Sequence, residues 1–310
     1  MSEARVIYIT SPARSGSTLL DQMLAAHPLV VSIGEALQLA AYALEDRALY
    51  DPAHPLVCCC GQPLRLCSFW QAVEREVGSP LSSLELRPGL LDLRGATGWR
   101  TAFMRQVFAP IRRWPQLYRQ ALVHGAVGGR RIGRDSFRLY DAIATVTGAR
   151  YVLDSSKVPF RYWSVHQHRP RDVWLIVLTR DYRAVAYSQS KRGHSLLGAA
   201  RYWVQTMKQI DIFSAGLGPD RLHVVKYEDL CADPEAVMRK LCAFLELDFT
   251  PSTMSRASSP IHHLGGSPSK FDPARRVPAA DLSFLNNLTQ ADLRSLHQVA
   301  GDHALRWGYV

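Results

Sequence analysis

A loop of small and basic residues, Ser11-Pro12-Ala13-Arg14-Ser15-Gly16-Ser17-Thr18, separates a wholly apolar run at 6–9 from a helical one at 19–24. In that setting successive backbone N–H groups and a helix N-terminus face one point, which is the chemistry of phosphate binding. A triphosphate loop of the Walker type reads G-x-x-x-x-G-K-[ST]. Here Ser11 stands at the first glycine and Ser17 at the lysine, while Gly16 and Thr18 are kept and Arg14 brings the positive charge. The lysine that grips the β- and γ-phosphates of ATP is missing, which argues against an ATPase or GTPase. Further on, Arg180 leaves a second apolar run at 173–178, and Ser188 follows eight residues later on a helical stretch. These two side chains can hold one phosphate from two directions; a helix-start salt bridge of Arg180 with Asp181 or a neighbour is the plainer alternative. Glu35 follows Gly34 at the carboxyl end of a short strand, beside the crevice where parallel sheets bind ligands. It can act there as a general base, or only complement a helix dipole.

These residues need a frame that turns them toward each other. Residues 5–10 read as a buried strand followed by the loop and a helix, and 29–31 read as a second short strand. Strands follow at 150–154, 173–178 and 222–225. Helices are expected from Pro159, at 182–191 and at 197–215, with Asp233-Pro234-Glu235 opening another and a final amphipathic helix ending near Trp307. Alternating strands and helices imply an α/β fold: a doubly wound, mostly parallel sheet carrying a phosphate loop, with helices on both faces. Residues 51–100 lose periodicity, and an Arg-rich helical segment follows at 101–124. Together they suggest an insertion, about 41–135, on the substrate side of a single domain spanning 1–310.

Taken in order and spacing, the motifs resemble the PAPS-dependent sulfotransferases of bacterial and Golgi type, similar to the tyrosylprotein and carbohydrate sulfotransferases (PAPS is 3′-phosphoadenosine 5′-phosphosulfate). The resemblance implies that Arg14, Ser15, Gly16, Ser17 and Thr18 bind the 5′-phosphosulfate, and that Arg180 and Ser188 bind the 3′-phosphate. Asp154-Ser155-Ser156-Lys157-Val158-Pro159-Phe160 is similar to a segment in which tyrosylprotein sulfotransferases carry a catalytic lysine before Pro-Phe. That implies a catalytic role for Lys157 alongside Arg14, a solvated surface lysine being the bland alternative. The Gly34-Glu35 pair resembles the one that supplies the family's general base. Tyr227, in Tyr-Glu-Asp-Leu, stands where the family places a tyrosine near the adenine, although a core tyrosine fits as well. Ser267 and Lys270 fall where relatives carry a loop that closes over the cofactor, and both depart from the relatives' residues. The implied reaction moves a sulfuryl group from PAPS to a hydroxyl or amine of a small-molecule, carbohydrate or peptide acceptor. It asks for no metal, because the leaving group is already a good one. A kinase-like phosphotransferase and a non-catalytic nucleotide-binding protein are the rival readings.

Bulk properties agree with an ordinary globular protein, with 47% hydrophobic and 21% charged residues. The formal charge of +10 suits a polyanionic ligand. Lys and Arg are spread along the chain with no zinc-finger or RNP spacing, so nucleic acid is not the expected partner. Arg100, Arg105, Arg112, Arg113 and Trp114 suit an acidic or carbohydrate acceptor and equally a solvated helix face. No membrane span or signal segment is legible, so a cytoplasmic location is expected. Four of the six cysteines lie in one stretch, Cys58-Cys59-Cys60 and Cys67. With Gly61 and Phe69-Trp70 they resemble a Cys-Gly…Cys-x-Phe-Trp element of bacterial relatives. Free thiols, a disulfide and a metal site all remain open; zinc sites usually show two Cys/His pairs, and the second is not evident nearby.

Overall fold

The computed structural model describes residues 3–39, 57–87, 129–254, 262–267 and 280–310. Five strands, β1 (Arg5–Thr10), β2 (Val30–Gly34), β3 (Tyr151–Lys157), β4 (Val173–Thr179) and β5 (Leu222–Lys226), form one sheet in the order β2-β3-β1-β4-β5. Every pairing is parallel. The central strands are apolar without alternation because both faces are covered. Val6 and Tyr8 of β1 pack to one side, Ile7 and Ile9 to the other.

The first side is built by helices α3 (Gly129–Thr147), α4 (Pro159–His168), α5 (Tyr182–Ser190), α6 (Leu196–Ser214) and α10 (Gln290–Leu305), with α2 (Ser68–Val77) at its margin. The second is covered by α1 (Ser17–Ala25), the short α7 (Tyr227–Ala232) and α8 (Pro234–Phe244). A four-residue helix, α9 (Phe284–Asn287), precedes α10. Among the described residues no helix is long and apolar enough to cross a membrane.

One topological fact locates the site. β1 and β4 are neighbours, yet α1 leaves β1 onto one face while α5 leaves β4 onto the other. Chain connections that part in this way open a crevice at the carboxyl ends of the two strands. The loop after β1 and Arg180 after β4 both empty into it.

Two elements differ from the sequence expectation. β3 runs on through Ser155, Ser156 and Lys157, polar residues that are paired inside the fold rather than solvated. Gly129–Thr147 is a helix whose Gly- and Arg-rich start hides its stripe of Ile132, Phe137, Tyr140 and Ile143. The helical segment at 101–124, with Arg100, Arg105, Arg112, Arg113 and Trp114, lies outside the described residues, as does Lys270.

Candidate active site

Gly16 caps α1 with φ 90°, and no side chain caps the helix in its place. A Cβ at this position would lie 2.4 Å from Cδ2 of Tyr227, so the glycine admits the tyrosine ring against the loop. The Arg180 guanidinium lies 4.4 Å from the centre of that ring. From there Nη1 of Arg180 donates to the Arg14 carbonyl at 3.1 Å, and Nη2 donates to the Asp281 carbonyl at 3.2 Å. Arg14, itself at φ 70°, donates from Nε to Ser188 Oγ at 3.2 Å. Arg14, Gly16, Arg180, Ser188 and Tyr227 are therefore gathered at one helix N-terminus. The Arg180–Asp181 salt bridge does not form. Asp181 instead pairs with Arg183 at 2.6 Å and accepts its backbone N–H, capping α5.

Ser15 and Ser17 are buried in the same loop. Ser11 Oγ and Ser15 Oγ have no hydrogen-bond partner among the described residues. Leaving a buried hydroxyl unpaired costs about 1–3 kcal/mol, and an anion seated on the loop would remove that cost. Thr18 accepts the Ser267 N–H at 3.2 Å, which lays the 262–267 segment across the start of α1.

On the β2–β3 side of the crevice, Glu35 is 8% exposed and forms an ion pair with Lys157 through Oε1. The same oxygen accepts the Gly266 N–H at 3.2 Å, and Gln38 Nε2 lies 3.4 Å from Oε2. The backbone sets this geometry. Leu264 donates its N–H to Ile33 and accepts the Glu35 N–H, a single parallel bridge that fixes where the carboxylate begins. Gly34 makes the bridge possible: it has φ 69°, and a Cβ there would lie 2.4 Å from the Leu264 carbonyl. The Gly-Glu order thus has a steric cause.

Lys157 sits at φ 69°, in the left-handed region that L-residues avoid by roughly 1–2 kcal/mol. Its carbonyl accepts from Thr10 Oγ1 at 2.7 Å, at the point where the β1–β3 register shifts. A bulge of this kind re-aims a side chain, and here it turns Lys157 toward Glu35.

Behind the pair stands a second one that the sequence did not reveal. Arg161 and Asp154 are joined at 2.9 Å with both side chains fully buried. Arg161 also donates to Leu86 O, Ser136 Oγ and Tyr140 Oη, each at 2.9 Å. Burial opposes its charge, and Tyr140 and Asp154 more than compensate, raising its pKa. Asp154 Oδ1 accepts the Ser156 N–H at 2.9 Å, and Ser156 Oγ accepts the Leu37 N–H at 3.2 Å. Arg87 holds the same turn from the other side, donating to Leu37 O and Gln38 Oε1. Both Glu35 and Lys157 are thus mounted on a rigid buried network.

The fold and site define an α/β protein with a phosphate loop at the switch point of its sheet. The sequence matches the model of the sulfotransferase family over residues 79–251, a stretch that includes Lys157, Arg180, Ser188 and Tyr227. The chain belongs to that family. Its fold is similar to the sulfotransferase domain from the curacin biosynthetic pathway, with a TM-score of 0.51 and 20% identity over 96% of this chain and 97% of that one. It is also similar to the sulfotransferase domain from the Synechococcus PCC 7002 olefin synthase, with a TM-score of 0.53 and 21% identity over 95% and 93% of the two chains. No curated protein sequence matches it.

Proposed function

We propose that the protein transfers a sulfuryl group from PAPS to a hydroxyl or amine of a small-molecule, carbohydrate or peptide acceptor. The observation that carries this reading is the meeting of Arg14, Arg180, Ser188 and Tyr227 at the N-terminus of α1, beside the Glu35–Lys157 pair. When bound, PAPS supplies a sulfuryl group already attached to a good leaving group. The amides opening α1 and the hydroxyls of Ser15, Ser17 and Thr18 would hold its 5′ end, with Arg14 neutralising charge. Arg180 and Ser188 would hold the 3′-phosphate and Tyr227 the adenine, with Ser267 and Lys270 closing over them.

Glu35 takes the proton from the acceptor's O–H or N–H. Lys157 starts on the Glu35 carboxylate; an anion at the loop gives its ammonium a second negative partner. As the acceptor bonds to sulfur, Lys157 and Arg14 stabilise the negative charge that grows on the oxygen between phosphorus and sulfur. Such pre-placed cations are the main catalytic device of in-line group transfer.

The test is calorimetric titration with 3′-phosphoadenosine 5′-phosphate, with AMP and ATP–magnesium as comparators. Binding that depends on the 3′-phosphate and is lost in Arg180→Ala is expected. A preference for ATP–magnesium, or equal affinity for AMP, would overturn the reading. Glu35→Gln should leave that affinity in place and lower turnover.

A further inference from the structure

Outside this site the structure brings four soft ligand atoms together. Cys58, Cys60 and Cys67 converge with Nδ1 of His262, all four atoms within 4.8 Å of one another. The sulfurs of Cys60 and Cys67 are 3.6 Å apart, and those of Cys67 and Cys58 are 3.8 Å apart. Nδ1 of His262 lies 3.3 Å from Cys58 Sγ and 3.3 Å from Cys67 Sγ. A disulfide needs about 2.05 Å between sulfurs, so none of these pairs is bonded. A tetrahedral zinc ion with Zn–S about 2.3 Å and Zn–N about 2.05 Å spaces its sulfurs by about 3.8 Å and a sulfur from a nitrogen by about 3.5 Å. These four of the six separations match that tetrahedron within a few tenths of an ångström, and the other two lie within 4.8 Å.

We propose that Cys58, Cys60, Cys67 and His262 bind one structural zinc ion. Four protein ligands close the coordination sphere, leaving no open position for water or substrate, which marks a structural rather than a catalytic site. The surroundings are built for it. Cys58 and Cys60 lie on a tight turn closed by Cys58 N–H to Gln62 O and Gly61 N–H to Cys58 O, with Gly61 at φ 84°. Cys67 is the N-cap residue of α2, which places its sulfur at the start of that helix. The His262 ring is stacked on Phe69, with centroids 4.4 Å apart and planes 5° apart, which fixes the direction of its ligating nitrogen. Cys59 points elsewhere, its Sγ 3.6 Å from the His263 carbonyl.

Sequence spacing missed the site because the fourth ligand comes 195 residues after Cys67. That distance also gives the ion its role. The residues after His262 include His263, whose Nε2 lies 3.0 Å from Asp21 Oδ1 on α1, then Leu264 and Gly266 on Glu35, and Ser267 on Thr18. The zinc would staple the 57–67 loop to the segment that positions the candidate base. This assignment rests on the ligand geometry alone and stands whichever donor the enzyme uses.

Metal analysis of the full chain purified without chelator should return one zinc per chain. Replacement by cobalt should give the absorption of tetrahedral Co(II) bound by thiolates. Cys59→Ser should keep the metal, while Cys60→Ser and His262→Ala should each lower its retention at least tenfold on dialysis. Chelation of the wild-type protein should speed hydrogen exchange at 262–267. A metal-free wild-type protein that gives no such cobalt spectrum would overturn the proposal. So would a Cys60–Cys67 disulfide in its mass spectrum, or retention of zinc by the Cys60→Ser, His262→Ala double variant.

Discussion

Two ion pairs lie four residues apart on the β3–α4 segment, and they are built in opposite ways. Arg161–Asp154 is sealed from solvent, and each terminal nitrogen of Arg161 makes two hydrogen bonds. Lys157–Glu35 is partly open, with side chains 23% and 11% exposed, and is mounted on a left-handed backbone at Lys157. A buried, multiply bonded pair resists rearrangement, because moving either member strands the other. A half-open pair can exchange partners when a new anion arrives. The difference separates the scaffold from the pair proposed to carry the chemistry: Asp154 and Arg161 hold the platform, and Lys157 and Glu35 stand on it.

The largest effect expected on breaking this contrast is in stability. Asp154→Ala should destabilise the fold by about 3–5 kcal/mol, since it leaves Arg161 charged, buried and without its carboxylate. Urea unfolding measures this, and a loss below about 1 kcal/mol would abolish the distinction. His166, on the same helix as Arg161, tests whether that side of the sheet tolerates charge at all. Burial, and then the charge of Arg221, lower its pKa from 6.5 to about 4. The unfolded chain therefore binds the proton first as pH falls. Stability that is complete above pH 6.5 is lost as pH falls toward 4, by about 3 kcal/mol at most. His166→Gln should flatten unfolding free energy against pH across that window.

On the other pair, Glu35→Gln should lower kcat by about a hundredfold or more while shifting the unfolding midpoint little. Steady-state kinetics with labelled donor and an accepted substrate would measure it; an unchanged kcat removes Glu35 from the base role. The smallest effect sharpens the comparison most. Lys157→Gly relieves the left-handed backbone, worth about 1 kcal/mol, while removing a partly exposed ion pair of similar size. Stability should stay within about 1 kcal/mol of the wild type while turnover falls. A loss as large as that of Asp154→Ala would show Lys157 to be scaffold as well.

Local signals explain what was legible in the sequence. β1, its loop, α1 and β4 are contiguous runs whose apolar pattern and turn residues can be read in one pass. Gly16 and Arg180 are recognisable by their positions at the ends of those runs, and Gly34-Glu35 by its place at the end of β2. The parts that the sequence does not show depend on pairing between distant segments. Ser155 to Lys157 lie beyond the strand expected at 150–154, because their polarity is visible in the sequence and their partners inside the fold are not. Arg161 carries no local sign of its role, because Tyr140, Ser136 and Leu86 reach it from other segments. Arg87 and His262 give no local signal, since what they touch lies 50 and 204 residues away along the chain. Periodicity reports faces and ends; it carries no information about which faces meet.

The Leu264 bridge also has a consequence for the newly made protein. Glu35 and Gly266 are separated by 231 residues. A ribosome adding about 5–20 residues per second needs on the order of 10–50 s to cover that distance. Throughout that interval the residues of the loop and α1 have already been added, while the carboxylate lacks the segment that anchors its amide and the N–H that meets its oxygen. A nascent chain thus holds Arg14, Arg180, Ser188 and Tyr227 before it holds the amide that meets the carboxylate proposed as the base.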